Sequence, residues 1–164
     1  MTERRDARNG EGERPEGVCA ALAMAEIPPS KLGPARRARL TDSERELYFW
    51  ILRHFHTVGR PSSKEVREAA VRLGIDAEQG LATLVREDLV HRGSDAEITV
   101  AYPFSGRPTA HRVRFAGGQE VDATCAIDAL GIAPLFGEPI EVASRDPLSG
   151  DAIQTRIAPD GAFE

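Results

Sequence analysis

The chain has 164 residues, 41% hydrophobic and 29% charged, with a formal net charge of −5. That length holds one ordinary domain, or two small modules sharing a core. The acidic balance argues against the basic footprint of a nucleic-acid binder, and no run of about 18 apolar residues exists to span a membrane.

Residues 1–39 are rich in Arg, Glu, Gly, Pro and Ala without sustained periodicity and read as a disordered tail. The tail ends in the basic run "KLGPARRARL". Its "VCAALAMA" stretch follows Glu11, Glu13 and Glu16, where an export signal needs positive charge. Two cysteines far apart in sequence, Cys19 and Cys125, fit a reduced, cytoplasmic setting with a free thiol.

Order is expected from "TDSERELYFWILRHF", where Thr41 and Glu44 form a capping box. Leu47, Ile51 and Phe55 then recur at helical spacing. "SSKEVREAAVRLG" repeats the pattern: Ser62 and Glu65 cap, Val66, Ala69, Ala70 and Leu73 face inward, and Gly74 ends the helix. Asp76 is placed to cap a third helix with Leu81, Leu84, Val85 and Leu89 on its core face. Strands are predicted over "EITVAY" and "HRVRF", joined by the turn "PFSGRPTA", so residues 40–100 read as a helix-turn-helix or winged-helix-like module. A short strand over 119–123, a helix over 124–136 and a hairpin of "EPIEVAS" with "DAIQTRIA" complete a small mixed domain over 101–164. The fold class is α+β.

A winged helix raises DNA binding as a function, and charge tests it. From Ser62 to His91, Lys64, Arg67, Arg72 and Arg86 face six carboxylates, Glu65, Glu68, Asp76, Glu78, Glu87 and Asp88. A recognition helix gains most of its affinity by neutralising phosphates, and this one opens Asp-Ala-Glu-Gln. Nucleic acid is therefore not the expected partner, and a DNA-binding regulator stands as a lesser alternative.

The histidines suggest no metal site. His54 and His56 would face apart on a helix, His91 is expected at a helix end, and His111 on a strand surface. What invites chemistry is "ATCAIDALGIAPLFG", where Cys125 and Asp128 stand three apart in an otherwise apolar or small segment. In a helix such positions are neighbours. From the spacing alone two readings stand open. The pair is either an acid held beside a thiol for proton transfer, or a buried small hydrophobe with a carboxyl bonded to a nearby amide.

"AYPFSGRPTAHRV" (101–113), "CAIDALGIAPLFG" (125–137) and "SRDPLSGDAI" (144–153), in that order after three helices, resemble the alkylmercury lyase (organomercurial lyase) family over about residues 41–157. The resemblance implies organomercurial detoxification by protonolysis of a carbon–mercury bond. Cys125 matches the family's first mercury-binding cysteine, and Asp128 the carboxylate that takes the thiol proton and delivers it to carbon. The substrate would be a small organomercurial. The resemblance also implies a second cysteine well downstream, and no cysteine lies between Cys125 and Glu164. The expectation is thus a domain lacking the family's carboxy-terminal part. It would need an external thiol rather than a bound cofactor, with a non-catalytic mercury or thiol-binding sensor as the other alternative. A sheet edge exposed by missing strands would suit a homo-oligomeric contact.

Overall fold

The computed structural model describes residues 33–164. Cys19, "VCAALAMA" and most of the expected tail lie outside the described residues. The last part of that tail is not disordered: Gly33–Arg37 forms a short helix, α1. It is anchored by charge, the Arg36 guanidinium meeting Asp88 at 2.7 Å and Arg39 meeting Glu87 at 3.2 Å. Arg36 also lies over the Tyr102 ring and Arg37 over Phe49.

Three helices follow, and their starts are those the sequence predicts. Helix α2 (Asp42–Thr57) and helix α3 (Ser63–Arg72) each open with a complete capping box, Thr41 with Glu44 and Ser62 with Glu65. Helix α4 (Ala77–Arg86) is capped by Asp76, which accepts from the Gln79 amide at 2.8 Å. Such caps satisfy amides that the first turn leaves without intrahelical partners. The core face of α4 differs from expectation. Leu81 and Leu84 are buried, but Val85 is 41% exposed and Gly80 and Thr83 turn inward instead. Leu73, expected inside, is only partly buried.

The remaining elements are β1 (Val90–Arg92), β2 (Ile98–Ala101), β3 (Phe104–Ser105), β4 (His111–Phe115), β5 (Glu120–Ala123), α5 (Ala126–Phe136), β6 (Ile140–Arg145) and β7 (Ala152–Ile157). The seven strands form one antiparallel sheet in the order β1-β2-β3-β5-β4-β6-β7. Strand β3 falls inside the stretch read as a turn. It pairs with both β2 and β5 and so joins the hairpin after α4 to the rest of the sheet. His91 lies in β1 rather than at a helix end.

Helices α2–α5 and one sheet face enclose a single apolar cluster that runs from Leu47, Ile51 and Leu52 through Phe104 and Val113 to Ile132 and Ile157. Each large side chain buried in it contributes about 1.5–3 kcal/mol relative to exposure. Aromatic contacts tie the layers: Phe55 stacks on Phe104 at 5.7 Å, and Phe136 of α5 meets Phe104 at 5.6 Å and Phe115 at 5.7 Å. The 100/101 boundary between the two expected modules lies inside β2, and sheet and core continue across it. Mixed helix and antiparallel sheet make the fold α+β.

Candidate active site

Strand β5 brings the chain to the site. Ala123 is fully buried and pairs with Phe104, so the next residues leave the sheet at its core face. The Thr124 amide donates to the Pro103 carbonyl at 3.0 Å, which fixes the exit against the β2–β3 turn. That turn is held in turn by the buried Tyr48 of α2, whose hydroxyl donates to the Tyr102 carbonyl. Burial pushes the Tyr48 phenol up to about 12, so it remains a donor at neutral pH.

Helix α5 was expected to start at residue 124 and to carry Cys125 on its face. Cys125 instead has extended backbone angles (φ −154°, ψ 176°) and is the N-cap, with Asp128 at the third helical position. The two still meet, for a different reason. A cap side chain folds toward the third residue's amide, and the Asp128 amide donates to Cys125 Sγ at 3.4 Å. The thiol in turn faces Asp128 Oδ2 at 3.1 Å. Thr124, which spacing did not single out, sends its hydroxyl to the same Oδ2. The hydroxyl stands immediately before the cysteine in "TCAID", so its only sequence signal is adjacency.

Position at a helix end also leaves the apolar segment around the pair only partly enclosed. Ala126 is exposed, and Thr124, Cys125, Ile127, Asp128 and Leu130 are partly buried. Burial is nevertheless the largest influence on the thiol and pushes it above its ordinary value. Amides of the helix start pull the other way, while the Asp128 carboxylate adds to the rise as acceptor and as a nearby charge. Burial and the carboxylate win, so at neutral pH the sulfur carries its proton and holds it beside an acceptor. Tyr102 borders the site: its hydroxyl is pushed up first by burial, then by the charges of Asp88 and Asp128.

The histidines are engaged elsewhere. His54 bonds the Gly59 carbonyl at 2.8 Å, His56 meets Glu138 at 3.0 Å, His91 meets Asp88 at 2.7 Å, and His111 bonds Ser144 at 2.9 Å. Among the described residues no group of three or more His, Cys, Asp or Glu is placed to hold a metal ion. Cys125 is the one free cysteine among them. A cleft of about 440 Å³ opens on the solvent face of the sheet between Arg112, Arg114, Glu141 and Arg156. Its guanidinium groups are taken by Glu120, Glu141 and Glu164. Thr155 is the one hydroxyl residue among its lining, and no cysteine lies there.

Residues 104–163 match the family model described as alkylmercury lyase, a segment that includes Thr124, Cys125 and Asp128. No curated protein matches the chain. Among solved structures, the mercury-bound form of MerB2 is similar with a TM-score of 0.63 and 17% identity, over 80% of this chain and 63% of that one. That likeness shows the fold, and this chain spans less than two thirds of that protein's length.

Proposed function

We propose that this alkylmercury-lyase-like chain cleaves carbon–mercury bonds by protonolysis, with Cys125 as the mercury-capturing thiol and Asp128 as the proton carrier. The observation that carries the reading is the 3.1 Å contact between the Cys125 sulfur and Asp128 Oδ2, within the matched segment.

The substrate is a small organomercurial, R–Hg–X. Mercury is a soft ion and thiolate its best-matched side chain. As sulfur bonds to mercury, the thiol proton passes to the Asp128 carboxylate and X⁻ leaves. An external small thiol, as thiolate, supplies a second sulfur, which weakens the remaining carbon–mercury bond. Asp128 then delivers its proton to carbon. The electron pair of the C–Hg bond becomes the C–H bond, R–H departs, and mercury stays divalent between two sulfurs, with no change of oxidation state. Positioned proton transfer of this kind contributes about 10²–10⁴-fold.

An external thiol is invoked because Cys125 is the one free cysteine among the described residues. The DNA-binding alternative has less support, since Arg36 and Arg39 of the basic run are paired with Asp88 and Glu87. Among the described residues no helix is long and apolar enough to cross a membrane.

The test is benzene release from phenylmercury with excess small thiol. Wild type should release benzene, and Cys125→Ser and Asp128→Ala should not. Mercury bound stoichiometrically at Cys125 with no benzene from wild type would make the protein a capture or sensor protein. Absence of binding as well would reduce the pair to core structure.

A further inference from the structure

We infer that Thr124 is a positioning residue for the thiol–carboxyl pair: its hydroxyl holds Asp128 Oδ2 in place against the Cys125 sulfur. The inference rests on the protonolysis reading for its functional meaning, but its geometry is independent of turnover.

Among the described residues three helices carry an acid at their third position, and the first two show what such an acid does by default. Glu44 Oε2 accepts from the Thr41 amide at 2.9 Å and the Thr41 hydroxyl at 2.8 Å. Glu65 Oε2 accepts from the Ser62 amide at 2.8 Å and the Ser62 hydroxyl at 2.7 Å. Both acids thus turn back onto the cap residue's own backbone and oxygen. Asp128 is one methylene shorter, and its Oδ2 receives two side-chain donors instead, the Cys125 thiol and the Thr124 hydroxyl. A thiol is a weak donor, so the hydroxyl is the stronger of the two restraints on that carboxyl.

Thr124 is itself well fixed. Its amide is tied to Pro103, the preceding Ala123 carbonyl accepts from the Thr109 hydroxyl at 2.8 Å, and its β-branched side chain has few rotamers. A rigid donor on one side and the sulfur on the other leave the shared oxygen aimed at the thiol proton. Removing the hydroxyl frees a carboxyl that can swing toward solvent. A misplacement of about 1 Å in such a constellation costs on the order of a hundredfold in rate.

The experiment compares Thr124→Val, Thr124→Ala and Thr124→Ser by two readouts in the full chain. The first is the pH profile of Cys125 alkylation by iodoacetamide, followed on the Cys125 peptide by mass spectrometry. Thr124→Val and Thr124→Ala should displace the midpoint in the same direction as Asp128→Asn. Either should add nothing when combined with Asp128→Asn, and Thr124→Ser should restore the wild-type profile. The second is benzene release, which should fall about a hundredfold in the Val and Ala variants while mercury capture at Cys125 persists. An unchanged alkylation profile in folded Val or Ala protein, or a displacement additive with Asp128→Asn, overturns the inference. A wild type that alkylates as described but releases no benzene overturns the lyase reading instead.

Discussion

Sulfur is an uncommon helix cap, since Ser, Thr, Asp and Asn satisfy the first-turn amides better. A thiol at the N-cap of α5 beside a first-turn carboxylate is a choice that helix stability does not explain. Its acid–base consequence is testable. Burial and Asp128 both raise the Cys125 thiol, so at any given pH less thiolate is present than for a free cysteine. Alkylation of wild type should therefore have its midpoint above the ordinary cysteine value of about 8.5. Asp128→Asn removes the negative charge and its preference for the protonated thiol but leaves the helix amides, so the midpoint should move down. An unmoved or rising midpoint would show that the carboxyl does not act on the sulfur. The pairing was legible in the Cys-x-x-Asp spacing, because an N-cap and its third residue meet just as helical neighbours do. That Cys125 lies outside the helix was not, because a residue with a poor record as a cap gives no start signal.

At the scale of elements, the helix starts were readable because caps are local: Thr41 with Glu44, Ser62 with Glu65 and Asp76 each act within one turn. The inward face of α4 was not, because it depends on what the helix meets. A side chain at Gly80 would come within 3.2 Å of both Ile75 and Leu47, so α4 approaches its neighbours closely there. That approach brings Thr83 inside and leaves Val85 outside. Leu84 and Val85 are thus adjacent in sequence and opposite in consequence. Leu84→Ala should cost about 2–5 kcal/mol in urea unfolding, with the cavity left behind setting the value. Val85→Ala should stay within about 0.5 kcal/mol of wild type, as exposed substitutions do. Equal costs would mean that the observed roll of α4 is wrong. Strand β3 escaped the sequence for a related reason: two residues between turn-forming glycine and prolines carry no alternation to detect.

For the whole molecule, the sequence order of elements invites a division into a helical module and a lyase-like domain, because each half has its own run of signals. The spatial order works against it. Strand β3 sits between β2 and β5, β4 lies beyond β5, and the core around Phe104 receives Phe55 from α2, Phe115 from β4 and Phe136 from α5. Contacts of such long sequence separation leave no local trace. With sheet and core shared in this way, the helices and the site are expected to unfold as one cooperative unit, and two probes are placed to measure this. Trp50 lies in α2, packed at 5.2 Å from His54, while the Ala129 amide in the first turn of α5 donates to the Cys125 carbonyl at 3.0 Å. Urea unfolding followed by Trp50 fluorescence and by hydrogen-exchange protection of the Ala129 amide should give one midpoint and one slope, since coincident transitions are the mark of two-state unfolding. An Ala129 transition at lower urea than that of Trp50 would mean that the site end opens while the helices hold. The thiol and its acid would then sit in a unit of low local stability. In the coincident case, a substitution such as Leu84→Ala should lower the exchange protection of the Ala129 amide by shifting the global equilibrium alone.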